Sequence, residues 1–132
     1  MKKILLAAML MVSMSVQAAN WQFLEYMYDD NEKPMATFSY DYPSKRVDNI
    51  AYVTTMWYRD KPFTNGDHSL VTDVVVDCER KMYKNVRTRE YRTADTTAVP
   101  TYDETRNDAS WMKESSPYDY TLVTHACYVP LQ

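Results

Sequence analysis

A single glycine, Gly66, serves the whole chain of 132 residues. Average usage near 7% would place about nine in this length. Phosphate-cradling loops, the dinucleotide fingerprint and the nucleophile elbow each need several glycines at fixed spacing, because only a backbone without Cβ turns sharply or approaches a ligand closely at low cost. Those enzyme classes are excluded. Gly66 itself, in Asn65-Gly66, marks the connection 60–68 as a hairpin loop and is the one place where glycine is expected to supply positive φ.

Residues 1–18 read as a secretory signal peptide, with Lys2 and Lys3, an apolar run over 4–12, and Val16-Gln17-Ala18 where a signal peptidase cuts. The run is shorter than the roughly 20 residues a membrane span needs, and no cysteine follows it for lipid attachment. The expected product is one domain over 19–132, exported to the periplasm, the outer-membrane surface or the medium, with no transmembrane segment. Cleavage removes two of the 15 basic residues and leaves 13 against 18 acidic ones, a net charge of −5. Both cysteines, Cys78 and Cys127, lie in this part. An even count in an oxidising compartment argues that they pair.

The aromatic residues, 12 of them tyrosine, together with frequent Val and Thr, favour strands. Five are expected, over 21–28, 35–40, 50–59, 70–78 and 80–91. Residues 29–34 read as a turn, 41–49 as a loop containing Pro43, and 93–110 as a long irregular connection. The fourth strand alternates cleanly: Leu70, Thr72, Val74, Val76 and Cys78 are assigned to the core face, Val71, Asp73, Val75 and Asp77 to the other. A helix closes the chain. Ser116 can cap it, Pro117 suits its first turn and Asp119 its positive end. Leu122, Val123, Ala126 and Cys127 form its apolar stripe, and Pro130 stops it. Strands followed by one helix predict the α+β class: an antiparallel sheet of about five strands, one C-terminal helix on it, and Cys127 within reach of Cys78.

This pattern resembles the surface-adhesin protein E family of small exported Gram-negative proteins. The resemblance rests on Trp21, on Tyr40-Asp41 before a strand with Val53 and Trp57, on Asp77-Cys78-Glu79-Arg80 followed by Tyr83 and Tyr91, and on Trp111, Ser116-Pro117 and Cys127. It implies an antiparallel sheet with a disulfide-tied helix and an adhesin-like role in binding host matrix or serum glycoproteins. Haem binding is attributed to the namesake, so haem enters as a partner by resemblance only. The family implies no catalytic motif.

Charge is segregated along the chain. Arg80, Lys81, Lys84, Arg87, Arg89 and Arg92 face only Glu90 within their segment, while the remainder after residue 18 is strongly acidic. With Tyr83 and Tyr91 interleaved, this stripe is a candidate site for an anionic partner: a sulfated glycan, an acidic protein surface or haem propionates. The structural alternative is a charged edge strand, or one neutralised by acidic neighbours. Nucleic acid is not expected of a net acidic domain.

Other chemistry finds less support. Asp73 and Asp77 share a strand face, but four residues at about 3.3 Å each hold them roughly 13 Å apart, beyond glycosidase spacing. His68 and His125 show no metal-ligand spacing, so no metal or cofactor is expected. A serine nucleophile has no supporting motif. Tyr42 and Tyr102, in expected loops, are further contact candidates. The principal expectation is a non-enzymatic binding domain; its alternative is a periplasmic inhibitor or immunity protein that neutralises a cell-wall hydrolase or toxin, steered by opposite charge.

Overall fold

A computed structural model describes residues 20–41 and 45–128. The expected signal peptide over 1–18, Tyr42, Pro43 and Pro130 lie outside them. The strands are β1 (Trp21–Tyr28), β2 (Pro34–Asp41), β3 (Lys45–Val47), β4 (Ile50–Tyr58), β5 (Ser69–Asp77), β6 (Met82–Tyr91), β7 (Tyr102–Thr105) and β8 (Met112–Lys113), followed by helix α1 (Pro117–Tyr128). Every pairing is antiparallel, in the order β1-β2-β4-β5-β6-β7, with β3 on β4 and β8 on β6. The architecture is thus mostly antiparallel sheet with one C-terminal helix. The strand count is corrected from about five to eight among the described residues: β3, β7 and β8 are two to four residues long and held by the long strands they pair with rather than by a pattern of their own.

One face of the sheet carries α1. Ala51 and Val53 of β4, Val74 and Val76 of β5 and Phe38 of β2 are buried against Leu122, Val123 and Ala126, as the helical stripe predicts. Phe38 and Trp57 stack at 4.2 Å between ring centroids, with Tyr118 edge-on to Trp57 at 5.3 Å. Cys78 and Cys127 are joined, their Cα atoms 5.6 Å apart. The helix start is capped: the Ser116 hydroxyl accepts from Asp119 N, and the Asp119 carboxylate accepts from Ser115 N. Such a cap is worth about 1 kcal/mol. At the other end Arg46 of β3 donates to the Cys127 carbonyl at 2.7 Å, satisfying one of the last helical acceptors.

Among the described residues the opposite face carries no helix. Half of it is crossed by the segment after β6, where Met56, Val71 and Tyr91 form a second cluster with Trp21 packed on it. The Trp21 indole N–H donates to Thr96 Oγ1, and the Ser69 hydroxyl to the Thr93 carbonyl. This cover corrects the face assignment on β5. Val74, Val76 and Thr72 lie inside as expected, but Val71 is also buried while Leu70 is only half-buried.

The turns are built with little glycine. Gly66 has φ 88°, and Glu32, Asp48 and Lys81 also take positive φ, so glycine is not the only residue used that way. Aspartate side chains hold two of these turns. Asp29 accepts from the backbone N–H groups of Asn31 and Lys33, and Asp77 from those of Glu79 and Arg80.

Candidate functional site

The face on which each stripe residue lies is decided by a bulge in β6. Asp73 pairs with Arg87 and the adjacent Val74 with Asn85, leaving Val86 without a partner on β5. Before the bulge Tyr83 and Asn85 point to the helix side; after it Thr88 and Glu90 do. Lys84, Arg87, Arg89 and Tyr91 are therefore gathered on the helix-free side, although strict alternation along the sequence would separate Lys84 from the arginines.

Most of the stripe is matched by acid. Arg87 makes a bidentate contact with Asp103 of β7, at 2.9 and 2.7 Å. That hydrogen bond holds the Asp103 carboxyl below its usual range and pushes the Arg87 guanidinium up. Arg89 meets Asp73 at 2.6 Å, and the same carboxylate accepts from the Thr54 hydroxyl. Arg80 pairs with Asp77 at 2.7 Å, and hydrogen bonding to Arg80 keeps Asp77 below its ordinary value. Arg92 reaches buried Asp67 at 3.5 Å and donates to the Asn65 carbonyl. Neither Lys81 nor Lys84 enters a salt bridge among the described residues. The two interleaved tyrosines do not join the lysines. Tyr91 is 4% exposed in the second cluster, and Tyr83 packs against the helix-side core, its hydroxyl pushed up by burial and by Asp119.

What the fold does assemble is a transverse row on the bare half of the helix-free face. Register places Lys45, Tyr52, Val75 and Lys84 side by side on β3, β4, β5 and β6. Trp111, just before β8, completes it: the Lys84 ammonium lies 4.6 Å and the Arg80 guanidinium 5.2 Å from its ring centroid. Tyr52 is 48% exposed, and Val75, Lys84 and Trp111 are half-buried. At about 4.8 Å per strand, the two lysines stand roughly 14 Å apart with aromatic and aliphatic surface between them. Ammonium donors beside flat rings suit an anionic group attached to a hydrophobic or sugar framework. Sequence reasoning singled out Lys84 but missed Lys45, Tyr52, Val75 and the contact role of Trp111, because their adjacency exists only across strands.

The remaining candidates are dispersed. His68 Nδ1 donates to the Arg59 carbonyl at 2.7 Å, whereas exposed His125 lies on α1 beside Tyr40. No group of metal-binding side chains occurs among the described residues. Asp73 and Asp77 are each engaged by an arginine. Tyr102 stands in β7 rather than in a loop, 45% exposed. No described helix is long and apolar enough to cross a membrane. Comparison with family models, with curated proteins and with solved structures finds no match to this chain.

Proposed function

We propose that this chain is an exported, non-enzymatic binding domain of adhesin-like type, which holds an anionic group of a protein or glycan ligand on the bare half of its helix-free face. Host matrix and serum glycoproteins, many of them acidic or sulfated, are the ligand class. The observation that carries this reading is the row Lys45, Tyr52, Val75, Lys84 and Trp111, which aligns two ammonium groups and two rings on the helix-free face, with Tyr52 48% exposed. Lys84 and Lys45 are the charge contacts and Trp111 and Tyr52 the stacking surfaces. Lys81 and Arg80 border them. Arg87, Arg89 and Arg92 serve the reading indirectly, by fixing β7, β5 and the 60–68 loop through their carboxylates.

The test is binding to immobilised sulfated glycans and matrix glycoproteins at two salt concentrations. Binding is expected to weaken with salt, because exposed charges are screened, and to fall about tenfold or more in Lys84→Glu and in Trp111→Ala, a loss of about 1.4 kcal/mol. Lys61→Glu, on the distant loop, is the control. Unchanged binding in both site variants, with the fold intact by circular dichroism, overturns the assignment.

A further inference from the structure

A well-formed cleft lies elsewhere, on the helix-bearing side at the outer margin of β6. The ladder from β6 to β8 ends at Tyr83, and the ladder to β7 begins at Arg87. Between them the chain 106–110 swings away from the sheet edge, and only Arg106 N returns to it, donating to the Val86 carbonyl at 2.8 Å. The gap opens a cleft of about 600 Å³ lined by Asn85, Thr88, Tyr102, Glu104, Arg106 and Ser110 among others. That is within the size range of small-molecule sites, roughly 300–1,000 Å³. A smaller cavity of about 110 Å³ shares Asn85 and continues toward Trp57 and Tyr118 beside the helix start.

The lining selects a ligand by its chemistry. Its cation is already answered: Arg106 donates to Glu104 at 2.6 Å and also lies in the field of Asp108. Arg87 turns its guanidinium to Asp103. An anion therefore finds no unmatched positive charge here, in contrast to the lysine row on the other face. An apolar ligand finds too many polar groups to desolvate. The Asn85 amide both donates and accepts, as do the Thr88 and Ser110 hydroxyls, which matches the paired donor and acceptor character of vicinal sugar hydroxyls. Tyr102 presents an exposed ring for stacking, and its hydroxyl is held by Glu104.

We infer that this cleft is a second binding site, for a neutral oligosaccharide, with Tyr102 as stacking platform and Asn85 and Thr88 as hydroxyl-reading groups. It is independent of the lysine row, so the two readings fail separately.

The experiment is a titration of the full exported chain with neutral trisaccharides of glucose and of N-acetylglucosamine, followed by amide NMR shifts and calorimetry. Saturable shifts confined to residues 85–88 and 102–112 are expected, with affinity falling about tenfold or more in Asn85→Ala and in Tyr102→Ala, and unaltered in Lys84→Glu. Asn85 is exposed, so its variant carries the test if the β7 variant does not fold; Tyr102→Phe, which keeps the ring, is expected to retain most of the affinity. No saturable binding by any of these sugars at millimolar concentration overturns the inference. So does binding that Asn85→Ala leaves unchanged, or a cleft that takes only a charged probe such as tetralysine or a sulfated trisaccharide.

Discussion

Lys81 sits at φ 54° and Glu32 at φ 59°, conformations in which Cβ crowds the carbonyl oxygen that follows it. Aspartate side chains from Asp29 and Asp77 supply the hydrogen bonds that hold these turns, so the fold tolerates the strain without glycine. Gly66 is different in kind. Besides φ 88°, a Cβ at this position would collide with the Arg92 guanidinium on its way to Asn65 and Asp67. The two positions therefore predict opposite outcomes. Gly66→Ala is expected to destabilise by about 1 kcal/mol, since it places a side chain at φ 88° and displaces the flexible Arg92 guanidinium from its contacts. Lys81→Gly is expected to stabilise by roughly 0.5–1 kcal/mol, the relief of a left-handed side chain less the added freedom of the unfolded glycine. Urea midpoints of the two variants against the parent decide the matter, and a shift of the same sign in both refutes the argument.

Short strands depend on side chains more than long ones do. The four residues of β7 attach to β6 through backbone pairing and through the bidentate contact of Arg87 with Asp103. The Arg87 hydrogen bond holds the Asp103 carboxyl below the usual aspartate value, so the stabilising effect of this contact is fully present above that usual value and is lost as pH falls through the lowered one. Both side chains are more than a third exposed, and screening keeps the effect small. Asp103→Asn is expected to lower stability near neutral pH and to make no difference in strong acid. Chemical denaturation of both proteins across the acid range reads this directly; a gap between them that persists in acid contradicts it. β6 also shows what alternation alone misses. One residue without a partner on β5, Val86, reverses the face of everything after it, so Lys84 joins Arg87 and Arg89 on one side while Asn85 and Thr88 open onto the cleft on the other.

At the scale of the whole molecule, the Cys78–Cys127 bond ties the last helix to the end of β5 across 49 residues. Closing a loop of that length removes about 4 kcal/mol of unfolded-state entropy in the chain-entropy model, a large share of the roughly 5–15 kcal/mol typical of a domain. Reduction, or the double change Cys78→Ser with Cys127→Ser, is expected to lower unfolding stability by a comparable amount while the sheet persists in mild conditions. Loss of less than about 1 kcal/mol by calorimetry contradicts the entropic account.

Local pattern was enough to identify the long strands, the capped helix with its stripe of Leu122, Val123 and Ala126, and the cysteine pair, because alternation, caps and cysteine count are properties of neighbours in the chain. The basic stripe was legible as composition but not as a site. Its arginines met acids from β5, β7 and the loops, and its tyrosines turned into two separate cores. The strands β3, β7 and β8 were invisible for a related reason: they exist because β4 and β6 offer unpaired edges to them. Only the tertiary structure decided that Lys45, Tyr52, Lys84 and Trp111 form one row and that Asn85 and Tyr102 share one cleft. Register and bulges set those adjacencies across strands, and no local sequence signal specifies them.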